Sequence, residues 1–421
     1  MTVPLVLLGS ALAWAALFYG GVTPQWNISL LLIASGGLAW WLPQRRVPNT
    51  RQDRWLDLAL LAFLAYVAFQ LLPLPISLLR LLSPERAAVL QALSAVQLPV
   101  RWAPVSVMPW ATWTHLLRIA GYAVAFLTIR SMARQVAANA WSILLPPLIV
   151  GALEAGLGLI QSIAGDAHGT YVDRNHFAGL LEMLVPFAAA WGLAEWSDRS
   201  RTRAYLLFVA AVVMFVAIVL SLSRTGLLAA SCALAIVFLA AFRDAYNIRW
   251  IAGILVALAI GGAIALPTRM MNRIAEVANT PEAVTSDRAA MWSETARIVQ
   301  AYPLTGCGLG TRAYTYFKYK TEFNYWTSDF AHNDYLQGFA ELGIAGFGIL
   351  SIFISRLSMH AFRAARLWMM GLAGAAALVA IAIHSFDEFN LYIPANALLL
   401  AWIAGAVTGL AERENEPLTV Q

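Results

Sequence analysis

Apolar runs of about twenty residues recur along almost the whole chain and are separated by short polar stretches. A helix needs about 20 apolar residues to cross the hydrocarbon core of a bilayer. The pattern therefore predicts an all-α polytopic membrane protein of about twelve transmembrane helices, at residues 3–19, 28–42, 56–74, 111–129, 141–163, 176–196, 204–222, 225–242, 251–266, 335–354, 367–384 and 392–410. The first run has no Lys or Arg before it and no small-residue cleavage pattern, so we expect a retained span and not a signal peptide.

Composition agrees with this class, because 60% of the 421 residues are hydrophobic and only 12% are charged. The formal net charge of +5 comes from arginines in the loops between spans, so it gives no reason to expect nucleic acid as a partner. Cys232 falls inside a predicted span and Cys307 in a loop, which argues against a disulfide framework.

The arginines predict the orientation, because cytoplasmic loops are rich in Lys and Arg. A basic loop follows every even-numbered span, with Arg45, Arg46, Arg51 and Arg54, Arg130 and Arg134, Arg199, Arg201 and Arg203, Arg243 and Arg249, and Arg356, Arg363 and Arg366. Both termini are then cytoplasmic. Residues 1–421 form one transmembrane domain, and residues 268–334 form a large periplasmic loop between spans nine and ten.

The large loop has recognisable parts of its own. Ser286 is a plausible N-cap for an amphipathic helix over residues 287–301, which we expect to lie flat on the membrane. An aromatic and basic tract from Arg312 to Trp326 follows. Such a tract suits a sugar ring or a polyprenyl phosphate head group, and it is equally typical of the aromatic belt of any membrane protein.

Charged side chains also collect at the predicted periplasmic ends of three spans. Arg174 and His176 precede span six, Arg224 precedes span eight, and His332 precedes span ten. An arginine beside a helix N-terminus favours an anion such as phosphate, although each could be an ordinary interfacial side chain. A neutral imidazole at His332 could accept a proton from a sugar hydroxyl. No metal-ligand spacing is present, so no metal or other cofactor is expected.

Four segments of the chain resemble the O-antigen ligase and polymerase superfamily of bacterial inner-membrane glycosyltransferases. They are Arg174-Asn175-His176-Phe177-Ala178-Gly179, Ser223-Arg224-Thr225-Gly226, Pro303-Leu304-Thr305-Gly306-Cys307-Gly308 and His332-Asn333-Asp334-Tyr335-Leu336-Gln337. The resemblance covers roughly residues 141–410. The last motif, which follows the large loop, is the most specific of the four.

The resemblance implies transfer of a glycan from an undecaprenyl diphosphate carrier to an acceptor hydroxyl at the periplasmic face, without a metal. Arg174 and Arg224 would contact the diphosphate, and His332 would act on the acceptor hydroxyl as general base or orienting group. Further substrate-binding candidates are Arg288, Arg312, His176 and Tyr335.

The acceptor stays open at this point. Ligases that use lipid A-core in lipopolysaccharide biosynthesis, repeat-unit polymerases that extend a growing glycan, and protein O-oligosaccharyltransferases share these motifs, and we favour the ligase. A transporter of lipid-linked sugars would predict charges near mid-membrane and an internal repeat. The charges collect at one interface instead, which makes transport the weaker hypothesis.

Overall fold

The structure is a computed structural model that describes residues 2–22, 26–41, 53–94, 100–135, 140–198, 200–241, 281–321 and 329–413. Within these ranges it is almost entirely helical. The helices are α1 (Thr2–Leu17), α2 (Trp26–Trp41), α3 (Arg54–Phe69), α4 (Ile76–Leu82), α5 (Pro84–Ser94), α6 (Pro109–Gln135), α7 (Leu145–Gln161), α8 (Arg174–Ser197), α9 (Arg201–Leu220), α10 (Arg224–Ala241), α11 (Pro281–Ala301), α12 (Arg312–Thr315), α13 (Asp334–Leu367), α14 (Met369–His384) and α15 (Pro394–Ala411). Short 3₁₀ helices occupy Tyr19–Gly21, Ala140–Leu144, Tyr316–Lys318 and Asn390–Tyr392.

Seven of the described helices are long and apolar enough to cross a membrane, namely α6 to α10, α13 and α15, with α7 counted together with the 3₁₀ turn before it. Shorter apolar helices cover Val3–Leu17, Asn27–Ala39 and Met369–His384. These helices fit a multi-pass membrane protein, as predicted. The predicted span 251–266 and the loop residues 268–280 and 322–328 lie outside the described residues, so twelve spans and a single large loop remain predictions.

A small unit between α3 and α6 is the exception to the all-α prediction. Strands β1 (Leu74–Pro75) and β2 (Trp102–Ala103) pair antiparallel, with Leu74 opposite Ala103. They enclose α4 and α5, and Leu79, Ala87 and Leu90 form its apolar centre. The sequence pattern used for the prediction was the apolar run of about twenty residues. It gives no signal for elements as short as β1, β2 and α4.

The centre of the bundle is built from α8 and α15. In the most apolar 18-residue stretch of these helices, 83% and 89% of the residues are buried, compared with 33% in α9. Glycines let α15 approach α6 closely. A Cβ atom at Gly405 would lie 2.5 Å from the Phe126 carbonyl oxygen, and one at Gly409 would lie 2.4 Å from that of Arg130. Small residues at such contacts are the usual way in which helices associate in lipid, where burial of apolar surface supplies little driving force.

A buried ionic network joins four helices at one end of the bundle. The Arg130 side chain is fully buried and pairs with Asp57 of α3 and with Glu412, the residue after α15. The Arg356 guanidinium donates to Asp53 at 2.6 Å. Because an unpaired buried charge costs several kcal/mol, about 3–5 when one partner is removed, these pairs fix the register of the helices at this end. The network contains arginines from two of the predicted basic loops.

Helix α11 corresponds to the amphipathic helix predicted over residues 287–301, but it begins earlier and it packs against other parts of the protein. It begins at Pro281, so Ser286 lies inside the helix and the predicted N-cap is wrong. Thr295 and Ile298, on the predicted apolar face, are fully buried. Ile298 belongs to an apolar cluster that includes Ala340 of α13. The face therefore packs on protein, on a surface supplied by a part of the chain far along the sequence. The orientation of this helix relative to a membrane stays a prediction.

Helix α13 is broken at Gly343, whose φ of +61° and ψ of −175° are not helical. A segment of the loop before α12 fills the break. The Ile344 amide donates to the Pro303 carbonyl at 2.9 Å, and the Cys307 amide donates to the Ala340 carbonyl at 3.0 Å. Backbone groups freed by a broken helix must find partners inside the protein. The Pro303–Gly308 motif therefore has a structural role, since it satisfies the backbone groups around this break.

Replacing Gly343 with Ala should destabilise the protein strongly. Its backbone conformation is essentially restricted to glycine, and a Cβ atom would lie 2.5 Å from the Leu304 carbonyl oxygen. The matched control is Gly348→Ala in the same helix, where a Cβ atom meets nothing within 4 Å. Thermal unfolding in detergent should show a midpoint lower by several degrees for Gly343→Ala and an unchanged or higher one for Gly348→Ala. Equal midpoints in the two variants would contradict the role of the break.

Candidate active site

Three helix N-termini converge on the loop formed by residues 385–389, at the end of the bundle opposite to the ionic network. At α8, Asn175 Nδ2 donates to Glu388 Oε1 at 2.8 Å. At α10, Thr225 Oγ1 donates to Asp387 Oδ2 at 2.7 Å. At α13, the Asp334 amide donates to the Glu388 carbonyl at 3.1 Å. Each helix N-terminus carries a partial positive charge, so this region favours negative groups.

Glu388 is the most connected side chain of this region and is only 1% exposed. Its Oε1 accepts from Asn175 and from Arg288 Nη2, the latter at 2.7 Å, and its Oε2 faces His332 Nδ1 at 2.9 Å. Arg288 also pairs with Asp387. Burial raises the pKa of the Glu388 carboxyl, but the hydrogen bond from His332 and the electrostatic interactions with His332, His176 and Arg288 outweigh it and hold this pKa below its usual value.

His332 lies at the start of α13 in a conformation that non-glycine residues rarely adopt, with φ at +48°. Its side chain is 26% exposed. With Nδ1 against the Glu388 carboxylate, the proton is assigned to Nδ1, and Nε2 then carries the lone pair. Strained backbone held by its surroundings is common at active sites. The arrangement presents a basic nitrogen whose ring orientation is fixed by a buried carboxylate.

Arg174 and Arg224, both predicted to contact the diphosphate, begin α8 and α10. Arg174 pairs with Asp166, and its side chain is 26% exposed. Arg224 is exposed, and among the described residues no carboxylate pairs with it. It follows a tight turn in which Leu222 has φ at +60°. The structure thus brings both arginines to the same convergence of helix N-termini as His332 and Arg288.

A buried polar layer lies beneath this surface and contains His176. Its Nδ1 faces Asn390 Oδ1 at 3.2 Å, and Asn396 Nδ2 donates to the His176 carbonyl at 2.9 Å. His384 and Glu182 form a fully buried pair at 2.7 Å. His176 is only 4% exposed, so its contacts are with protein groups of this layer.

Arg312 and Tyr335 are not brought to the cluster around Glu388. Arg312 is fully buried, and its Nε donates to Thr295 Oγ1 at 3.0 Å while the guanidinium lies over the Tyr316 ring. Burial lowers the pKa of Arg312. Tyr335 is 40% exposed, and its hydroxyl donates to the Ala382 carbonyl at 2.7 Å.

A row of aromatic rings leads away from His332. Phe389 lies edge-on to His332 at 4.8 Å and stacks on Phe330 at 4.0 Å. Phe330 contacts Tyr392 at 5.6 Å, and Tyr392 contacts His115 of α6 at 5.8 Å. We call Phe389, Phe330, Tyr392 and His115 the aromatic row. Aromatic faces of this kind suit the apolar faces of sugar rings.

One group of three among the described residues could hold a metal ion: Asp173, His176 and Glu388, whose donor atoms lie within 4.8 Å of one another. Each is already bound within the protein. Asp173 Oδ1 accepts from the Asn175 amide at 2.7 Å as the cap of α8, and Glu388 accepts from Arg288. A cation at this position would compete with a guanidinium for the same carboxylate.

Comparison with known families supports an enzyme site here. Residues 209–351 match the family model described as O-antigen ligase. The matched segment is about a third of the chain, and over it the chain is similar to the O-antigen ligase superfamily. The match supports a glycosyltransferase-like ligase or polymerase with lipid-linked glycan and acceptor substrates in general. A comparison of the chain with curated proteins finds no match.

The matched segment contains Arg224, Arg288 and His332, whereas the 385–389 loop follows it along the chain. Asp387 and Glu388 are not among the site residues predicted from the sequence. The available signal was two adjacent acidic residues between two apolar spans, where charge is costly unless it is paired.

Glu388→Gln should lower stability in a pH-dependent way. The folded-state pKa of Glu388 is below its usual value, so its contribution to stability is present above the unfolded pKa of about 4.3 and is lost as pH falls through the folded value. The difference in unfolding midpoint between wild type and variant, measured in detergent, should be largest near pH 7 and shrink below about pH 4.

The control for this measurement is Glu85→Gln, which removes a carboxylate paired with the half-exposed Lys318. An ion pair of that kind contributes about 0–1 kcal/mol, so its midpoint difference should be small at every pH. A Glu388→Gln difference that does not change with pH would show that the carboxylate charge is not what stabilises this region.

Proposed function

We propose that the protein is an O-antigen ligase of lipopolysaccharide biosynthesis. It transfers a glycan from undecaprenyl diphosphate to a hydroxyl of lipid A-core at the periplasmic face of the bacterial inner membrane, without a metal or other cofactor. The observation that carries the proposal is the His332–Glu388 pair, which lies among helix N-termini that bear Arg174 and Arg224. The family match supports the same reaction class.

The proposed chemistry starts at the acceptor hydroxyl. Its oxygen attacks the anomeric carbon of the donor glycan, and its proton moves to His332 Nε2. Glu388, which holds Nδ1 at 2.9 Å, stabilises the imidazolium that forms. The bond between the anomeric carbon and the diphosphate oxygen breaks, and its electron pair stays on the diphosphate. A positioned base of this kind contributes about 10²–10⁴-fold to a rate.

The leaving diphosphate needs positive charge placed before the reaction starts. Arg224 is the main candidate because it is exposed and its guanidinium is not held by a carboxylate of the described residues. Arg174 and Arg288 pair with acidic side chains and would add to the positive potential, with Arg288 near enough to contact the substrate. The N-termini of α8 and α10 contribute their dipoles in the same direction.

The other predicted substrate-binding residues receive narrower roles. We assign His176 to the support of the 385–389 loop and Tyr335 to the rim of the site. Arg312 would contact a carrier head group only after leaving its buried position, so its proposed role is to hold α11 against α12. A repeat-unit polymerase remains the second candidate, because the same groups serve any hydroxyl acceptor that reaches His332.

The first experiment reconstitutes the protein in liposomes with undecaprenyl diphosphate-linked glycan, with or without lipid A-core, and resolves the products by size. We expect glycan on lipid A-core, no lengthening of the carrier-linked chain, and an unchanged rate in the presence of EDTA. Carrier-linked chains that lengthen without lipid A-core would establish the polymerase instead. A rate that collapses with EDTA and recovers with magnesium would overturn the metal-free mechanism.

His332→Ala should reduce transfer by about 10²–10⁴-fold, since it removes the proposed base. Binding of the carrier-linked donor, measured as the amount of donor that stays on the purified protein, should change little. The matched control is His360→Ala, in the helix that follows His332, because His360 contacts Asp53 in the ionic network at the opposite end. Normal turnover by the His332 variant would remove this residue from the mechanism.

A further inference from the structure

Arg118 of α6 is an arginine that the reaction described above does not use. It lies nine residues into the helix, roughly 14 Å from Pro109, and is partly exposed. No carboxylate of the described residues pairs with it, and its buried Nε has no hydrogen-bond partner there. Charged groups inside a membrane helix are costly and usually pair or contact a substrate. An unpaired guanidinium at this depth therefore indicates a ligand that carries negative charge.

The surroundings of Arg118 describe the rest of that ligand. Helix α2 packs against α6 one turn further along, where a Cβ atom at Gly121 would lie 2.5 Å from Leu30 Cδ2. Beside this contact the surface of both helices is apolar and open. Its exposed members are Trp113 and Leu117 of α6 and Ile28 and Leu31 of α2. A guanidinium above an open apolar surface fits a phosphate that is attached to a lipid.

Arg118 is connected to the catalytic histidine by the aromatic row. It lies three residues after His115, on the same face of α6, and His115 is the far end of the row that begins beside His332. Arg288 reaches His332 by a different route, through its ion pair with Glu388. The contacts therefore run from Arg288 through Glu388, His332 and the aromatic row to His115, three residues before Arg118.

We infer that Arg118 binds a phosphate of the acceptor lipid, and that the aromatic row guides the sugars of that lipid to His332. The inference rests on the proposed function. Glycan transfer between two lipid-anchored molecules needs two lipid sites that share one catalytic group. Arg174, Arg224 and Arg288 serve the donor diphosphate, and Arg118 supplies a separate cation at the far end of the aromatic row.

The kinetic test is Arg118→Gln in the reconstituted transfer assay. The KM for lipid A-core should rise about tenfold, because a charge-assisted hydrogen bond to phosphate is lost, while the KM for the carrier-linked donor should stay within about twofold. Arg118→Lys keeps the charge and should recover part of the loss. The matched control is Arg297→Gln on α11, an exposed arginine outside the site, which should change neither constant.

A binding measurement tests the inference without turnover. Purified wild type should bind lipid A more tightly than dephosphorylated lipid A, and Arg118→Gln should abolish that preference. If the variant weakens binding of undecaprenyl diphosphate instead, Arg118 belongs to the donor and the inference is wrong. If phosphatidylglycerol bound as tightly as lipid A, Arg118 would be a general site for membrane lipids, and the inference would also be wrong. If wild type showed the lipid A preference but no transfer, the proposed function would fail and the acceptor site would stand.

Discussion

The burial of the Glu388 carboxylate is the constraint on which the candidate site depends. A charge that is 1% exposed must be neutralised, and its partners come from parts of the chain that are far apart: Asn175 on α8, Arg288 on α11 and His332 before α13. Removing one partner of a buried pair costs about 3–5 kcal/mol, so none of these elements can move independently. The orientation of the His332 imidazole is thus coupled to the packing of α11.

The break in α13 at Gly343 is the second constraint, and it acts through the backbone. Because the Pro303 segment fills the break, the loop that follows α11 is tied to the first turns of α13. The same turns carry Glu341, whose carboxylate accepts from the Gly310 amide at 2.7 Å and from the Tyr392 hydroxyl at 2.6 Å. The aromatic row and the start of α13 are therefore held by one set of contacts.

The apolar pattern of the sequence predicted where the helices lie, because each transmembrane helix must satisfy its own backbone hydrogen bonds. It also placed Arg174, Arg224 and His332 at helix starts, where the structure has them. It could not predict the Glu388–His332 contact, since residues 56 positions apart meet only through tertiary packing. For the same reason Arg312 looked like a ligand-binding arginine, although it is fully buried against Thr295.

Pairing separates the arginines of this protein into two kinds. Arg130 and Arg356, in the network at one end, and Arg288, beside Glu388, are each held by carboxylates. Such pairs fix the position of the guanidinium and reduce, without removing, the charge that it offers to a ligand. Arg224 and Arg118 have no carboxylate partner among the described residues. An arginine without a carboxylate partner is open to a negatively charged ligand, and two anionic lipid substrates would supply one such ligand to each of these side chains.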